Sequence, residues 1–227
     1  MKNHLKRISS PRTWKINRKC NTFITKPNPG AHSLELGMAL GVIIRDMLNY
    51  TQTISEVKKM LKNEEILVEG KRRKDHRYVV GLFDVISFPK IDKNYRMTVD
   101  KKGKLILIEI DNKEANLKLS KVTGKTKIKK DKIQINLHDG KNILSDEDIK
   151  VGDTLLLELP SLIVKKVFKL NEGSSVMLIK GKHCGDVGNY KGMDCKEAVY
   201  LKGDEEIKTT KKYLFVVGQN KPEIKVN

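Results

Sequence analysis

The chain has 227 residues, enough for two or three small domains with cores of their own. Its formal net charge of +18, from 46 Lys and Arg against 28 Asp and Glu, points to a polyanionic partner rather than an acidic small substrate. Aromatic residues make up only 5 %, so stacking on single-stranded bases is not expected as the main binding mode, and phosphate contact with shape recognition fits better.

Residues 1–40 show almost no sustained periodicity and hold three of the six prolines. Their basic residues are Lys2, Lys6, Arg7, Arg12, Lys15, Arg18, Lys19 and Lys26, against the single acid Glu35. Such a segment buries too little apolar area to fold alone, so an extended basic arm that orders on a partner is expected. Trp14, between Arg12 and Lys15, is open to two roles: a wedge against RNA, or an anchor onto the protein's own core. Lys26-Pro27-Asn28-Pro29-Gly30 must run extended and then turn, because each proline biases its predecessor away from helix.

From Gly41 to Ser87 the pattern is two short amphipathic helices, a strand, a turn, a basic tetrad and a second strand. Ile43, Ile44, Met47 and Leu48 mark the first helix, with Arg45 on it. Thr53-Ile54-Ser55-Glu56 fits a capping box for the second. Behind it Ile54, Val57, Met60 and Leu61 share one face, and Lys58, Lys59 and Lys62 take the other. Ile66 to Val68 reads as a strand, Glu69-Gly70 as a turn, and Lys71-Arg72-Arg73-Lys74 as four cations that only Asp75 is close enough to relieve. This stretch resembles the alpha-L RNA-binding motif, whose helix pair and basic hairpin present a cationic face to structured RNA.

From Phe88 the period becomes that of strands: Tyr95 to Val99, Leu105 to Ile110, Ile133 to Leu137, Thr154 to Leu159 and Ile163 to Leu170, with a small β-barrel or curled sheet implied. His138-Asp139-Gly140-Lys141 closes a hairpin. His138 and Asp139 are not read as a catalytic pair, because neighbours on a tight turn point apart and no nucleophile is fixed beside them. Lys125, Lys127, Lys129, Lys130 and Lys132 are expected in a cationic loop.

Glu172 to Tyr190 resemble a KOW motif, with Gly181, Gly185 and Gly188 at sharp turns and Lys180, Lys182 and His183 at the loop. Close approach of an RNA backbone is the favoured reason for Gly185. Beyond Tyr190, Lys191-Gly192-Met193-Asp194 leaves the exit strand open. Tyr213 to Val217 is a final strand, and residues 218–227 are expected to form a mobile tail.

Three further stretches carry a more specific likeness. Asn3-His4-Leu5-Lys6-Arg7, Ser10-Pro11-Arg12-x-Trp14 and Lys26-Pro27-x-Pro29-Gly30-x-His32 look like the opening of the archaeal and eukaryotic small-subunit ribosomal proteins of the S-four-e family. Asn136 to Asn142 resembles a second signature block of that family. The resemblance runs from Asn3 to about Val217, and 227 residues suit an archaeal member, since eukaryotic relatives are longer.

It implies an α+β protein: a basic arm at 1–40, an alpha-L module at 41–90, a central barrel-like β domain at 91–170, an SH3-like KOW barrel at 171–217 and a tail at 218–227. It also implies a structural component of the small subunit in the cytoplasm, with ribosomal RNA and neighbouring ribosomal proteins as partners. No membrane, independent homo-oligomer, cofactor or catalysis is expected. The candidate RNA contacts are Lys6, Arg7, Arg12, Trp14, Lys15, Arg18, Lys26, His32, Arg45, Lys58, Lys71, Arg72, Arg73, Lys74, His138, Lys141, Lys180, Lys182, His183 and Lys191.

Rival readings are an RNA-modifying enzyme with an alpha-L clamp, for which this chain offers no Gly-rich loop entering a helix after a strand, and a transcription-elongation factor with a KOW motif, which the basic arm and alpha-L stretch fit poorly. Cys20, Cys184 and Cys195 have neither disulfide nor zinc spacing, even with His183 added. No apolar run reaches transmembrane or signal-peptide length, so a reducing, cytosolic setting is expected.

Overall fold

The computed structural model describes residues 4–128, 132–145, 148–194, 197–203 and 205–226. It is mostly β with few helices, and it divides into two compact units. Met1–Thr98 and Lys104–Asn116 form the first; Val99–Gly103 and Leu117–Asn227 form the second.

In the first unit β1 (Leu5–Lys6) pairs with β2 (Phe23–Ile24). The basic amino-terminal segment therefore folds back on itself, where an extended arm was expected. Its anchor is Trp14, 1 % exposed, whose indole N–H donates to the carbonyls of Leu34 (3.2 Å) and Gly37 (3.0 Å). Beside it the Leu105 amide donates to the Thr13 carbonyl at 2.7 Å. The buried indole, with its N–H satisfied, works with Ile24 (5 % exposed) to hold the segment to the fold.

The chain continues through β3 (Gly37–Ala39), one α-helical turn, α1 (Leu40–Val42), and a π-helical turn over Ile43–Met47. Ile43 and Ile44 are fully buried, as their spacing implied, although the turn that carries them is π-helical and so wider than an α-helix. Then α2 (Ile54–Asn63) opens with the expected capping box: the Thr53 hydroxyl accepts from the Glu56 amide at 3.2 Å, and Glu56 accepts from the Thr53 amide at 3.3 Å. Val57 and Leu61 are buried while Lys58, Lys59 and Lys62 are exposed, so the helix shows the two faces read from its sequence.

The hairpin of β4 (Leu67–Val68) and β5 (Lys71–Arg72) turns on two residues, Glu69 and Gly70, both with positive φ (55° and 72°). That geometry matches the twist of the strands it joins. After β6 (Val79–Gly81), which pairs with β3, come β7 (Val85–Phe88), β8 (Lys93–Val99) and β9 (Leu105–Ile110). They complete a five-stranded sheet in the order β5-β4-β7-β8-β9. A short helix, α3 (Asn112–Ala115), follows, and the segment after Ala115, whose periodicity leaves helix or strand open, is a strand from Leu117 onward.

The second unit holds two five-stranded sheets. One has the order β12-β11-β10-β13-β14, from β10 (Leu117–Lys127), β11 (Ile133–Leu137), β12 (Asn142–Ser145), β13 (Thr154–Glu158) and β14 (Ile163–Phe168). Residues 117–121 of β10 pair with β13, and residues 122–127 pair with β11 across a register shift between Val122 and Gly124. One long strand shared between two partners curls the sheet around Val122, Ile135, Leu137, Ile149, Leu155 and Leu157. Lys125 and Lys127 thus sit on a strand and not in a loop, because the hydrogen-bond ladder extends past the apolar residues; Lys129 and Lys130 lie outside the described residues.

The other sheet has the order β18-β17-β16-β15-β19, from β15 (Ser175–Leu178), β16 (Val187–Asp194), β17 (Glu197–Lys202), β18 (Glu205–Thr209) and β19 (Leu214–Gly218). The strand left open beyond Tyr190 does continue, with a bulge between Tyr190 and Gly192. The tail is packed where mobility was expected: Ile224 and Val226 are buried, and the Glu223 amide donates to the Val217 carbonyl at 3.1 Å.

Candidate nucleic-acid interface

In the first unit α2 and the β4–β5 hairpin lie side by side, because Arg72 Nη2 donates to the Lys62 carbonyl at 3.2 Å near the helix end. This brings together Lys58 and the tetrad, which the sequence separates by a dozen residues. Lys58, Lys62, Lys71, Arg72 and Lys74 are exposed. Arg73 differs: its guanidinium lies 4.3 Å from the centre of the Tyr78 ring, a cation–π contact that commits it to the protein. The His76 imidazole is pushed below its ordinary pKa, first by burial and then by the Lys58 ammonium, with Asp75 opposing. A cationic field already acts on that side chain before any ligand arrives. Sequence reading passed over Lys62 as a helix-face lysine, and over His76 and Arg77 altogether; their position directly after the tetrad was the available signal.

The amino-terminal candidates divide. Lys6, Arg12 and Lys15 are exposed. Arg7 is 2 % exposed and donates to the Asn17 carbonyl (2.6 Å) and to Asp46 (3.1 Å), so it braces the fold. Arg18 donates to the carbonyls of Ile8, Ser10 and Pro11 at 2.6–3.3 Å. Trp14 takes the core role of its two alternatives, being enclosed with its N–H satisfied. The His32 side chain is 3 % exposed, with Nε2 3.0 Å from Asp84 Oδ2. Arg45 pairs with the adjacent Asp46 at 2.8 Å, and Lys26 is half-buried. A sequence shows that these residues are basic, but not that backbone carbonyls take up their donors.

In the second unit His138 Nδ1 accepts from the Lys121 amide at 3.2 Å, and the ring meets Phe215 edge-on at 5.4 Å. Asp139 is fully enclosed against Lys118, and Lys141 approaches the same carboxylate at 3.4 Å. The signature hairpin is therefore held from within. Lys121, also buried, donates from Nζ to the carbonyls of Lys212 (2.9 Å) and Leu214 (2.6 Å), which ties β10 to the start of β19.

The glycine loop corrects another expectation. Gly181 and Gly185 have positive φ (103° and 80°), but a Cβ on Gly185 would stand 2.6 Å from the carbonyl of Asp100, so protein backbone occupies the space proposed for RNA. Gly188 lies within β16, where a Cβ would meet the Leu201 carbonyl at 2.2 Å. Lys182 is exposed, Lys180 half-buried, and His183 lies 3.6 Å from Asp186, which also pairs with Lys202 at 2.7 Å. Lys191 is exposed and ion-pairs with Glu206. Among the described residues no group of three or more His, Cys, Asp or Glu could hold a metal ion; Cys195 lies outside them. Nor is any helix among them long and apolar enough to cross a membrane.

Fold and surface define a strongly basic, mostly β protein with a cluster of exposed cations on α2 and the β4–β5 hairpin. The description "Ribosomal family S4e" matches residues 91–162, and the RS4NT domain matches residues 1–35. The small ribosomal subunit protein eS4 of Methanocella arvoryzae is 40 % identical over 228 residues, covering 98 % of this chain and 97 % of that one. The protein of the same name from Archaeoglobus fulgidus is 41 % identical over 222 residues, covering 95 % and 93 %. The crystal structure of the 30S ribosomal protein S4e from Thermoplasma acidophilum superposes with a TM-score of 0.71 at 28 % identity, over 81 % of this chain and 96 % of that one. The chain belongs to the ribosomal protein S4e family.

Proposed function

We propose that this chain is a structural component of the small ribosomal subunit, working in the cytoplasm by binding ribosomal RNA among neighbouring ribosomal proteins and supporting subunit assembly. The observation that carries the reading is the cluster of Lys58, Lys62, Lys71, Arg72 and Lys74, gathered by α2 and the β4–β5 hairpin within a chain of this family. Like charges so placed repel one another, and a row of phosphates relieves them. Binding then gains from release of counterions condensed on the RNA.

In this reading residues 41–90 act as an alpha-L module, 91–170 as the central β domain and 171–217 as a KOW barrel, with 1–40 as the basic entry segment and 218–227 as its packed tail. The contacts proposed are the exposed cations Lys6, Arg12, Lys15, Lys58, Lys62, Lys71, Arg72, Lys74, Lys182 and Lys191, supported by their accessibility. Arg7, Trp14, Arg18, His32 and His138 act as positioning residues beneath them. The chain is no enzyme: membership in a ribosomal protein family leaves an RNA-modifying activity without support.

Sedimentation of tagged protein through a sucrose gradient tests the reading. Stoichiometric presence in small subunits is expected, and presence only at the top of the gradient would overturn it.

A further inference from the structure

A cleft of about 290 Å³ opens in the first unit between the Pro27–Pro29 turn and β6. Its apolar walls come from Pro27, Pro29, Leu34 and Val79, and Lys26, Asn28, His32 and Arg77 are its polar members. The walls are built rather than incidental. The His32 ring lies against Gly81, where a Cβ would stand 2.2 Å from it, and is tied to Asp84 at 3.0 Å. Val79 is accommodated by Gly30 and Gly37, where Cβ atoms would come within 2.6 and 2.7 Å of its methyl groups. Three positions thus omit a side chain around the same wall. Arg77 is fixed by its Nε, which donates to the Lys26 carbonyl at 3.1 Å, and by its amide, which donates to Asp75 at 2.8 Å. No hydrogen bond to the described residues engages Arg77 Nη1 or Nη2.

We infer that this cleft receives one unstacked base of the bound RNA, with Arg77 as its charged contact. The inference rests on the reading of the chain as an RNA-binding protein and adds a mode of recognition to it. Ribosomal RNA offers unpaired bases in loops and bulges, and proteins take them between apolar walls and guanidinium planes. The volume is near the lower bound of small-ligand sites, roughly 300 Å³, which suits one base and excludes a helix. A flat aromatic heterocycle satisfies apolar walls on its faces and a guanidinium at its edge or at its phosphate. An aliphatic side chain of a neighbouring protein would leave the guanidinium unused, so RNA is favoured.

The test is footprinting of small-subunit ribosomal RNA bound to the full chain, with dimethyl sulfate and carbodiimide reading base edges and hydroxyl radicals reading the backbone. Leu34 stands 40 % exposed at the rim, so Leu34→Trp narrows the opening without displacing core. The wild type is expected to protect an unpaired base that Leu34→Trp leaves reactive, while backbone protection at saturating protein persists. Affinity should fall about tenfold, the scale set by a single stacked base. Arg77→Gln, which removes the guanidinium, should partly expose the same base, and circular dichroism melts check that both variants fold. Base-by-base identity of wild-type and folded variant footprints would overturn the inference and leave the cleft to a protein side chain. Absence of any backbone protection by the wild type would overturn the RNA-binding reading itself, and this inference with it.

Discussion

Lys118 and Asp139 form an ion pair sealed from solvent: Nζ lies 2.7 Å from Oδ2, and both side chains are 0 % exposed. The pair joins the start of β10 to the β11–β12 turn, 21 residues later. Burial alone would raise the Asp139 pKa, but Lys118, His138 and Lys141 outweigh it and hold the carboxyl down at about 2.

Asp139→Asn is therefore expected to be severe. It keeps the shape of the turn and removes the charge, which leaves a buried ammonium uncompensated at a cost of about 3–5 kcal/mol. A carboxyl with a depressed folded pKa contributes stability that is full above its ordinary value of 3.8 and lost as pH falls toward about 2. Urea unfolding of wild type and variant at pH 7 and at lower pH measures both effects. A variant as stable as wild type at pH 7 would show the pair to be dispensable.

Gly185→Val should unfold the second unit before RNA is involved. The residue has φ of 80°, and its Cβ would lie 2.6 Å from Asp100. Backbone strain alone costs about 1–3 kcal/mol, and the collision adds to it. A lowered melting temperature in the free protein is expected; normal melting with abolished RNA binding would restore the RNA-approach role.

For the tetrad, the two lysines are the clean test, because Arg72 also holds the hairpin to α2 through the Lys62 carbonyl. Lys71→Ala with Lys74→Ala should flatten the slope of log K against log[salt] by roughly 0.7–0.9 for each phosphate no longer neutralised. Melting temperature should hold, because exposed like charges contribute little to folding. Arg73→Ala should instead lower stability by about 0.5–2 kcal/mol, since it gives up its place over Tyr78. Unchanged salt slopes in the double variant would remove these lysines from the interface.

Trp14→Ala should release the amino-terminal segment. Truncating a buried indole costs about 3–5 kcal/mol, and here the donor to Leu34 and Gly37 goes with it. Limited proteolysis of the free protein should cut the variant within residues 4–30 and spare the wild type. Equal cleavage of both would mean that the segment is not anchored through Trp14.

Local order was legible in the sequence because it depends on neighbours in the chain. The Thr53–Glu56 capping box, the two faces of α2, the Glu69-Gly70 turn and the Asp139-Gly140 hairpin each follow from residues within four positions of one another. Net charge and the ordered motifs likewise fixed the class of partner and the family. Tertiary structure alone decided which cations remain available. Arg7 and Arg18 read the same as Arg12 in sequence, yet carbonyls seven to ten positions away in the folded segment take up their donors. Gly185 reads as a loop glycine, yet a backbone 85 positions earlier occupies its open side. Asp139 reads as turn chemistry, yet it also neutralises a lysine on another strand. Such outcomes depend on which distant groups arrive at a side chain, and a desolvated donor or acceptor must bind whatever lies within reach.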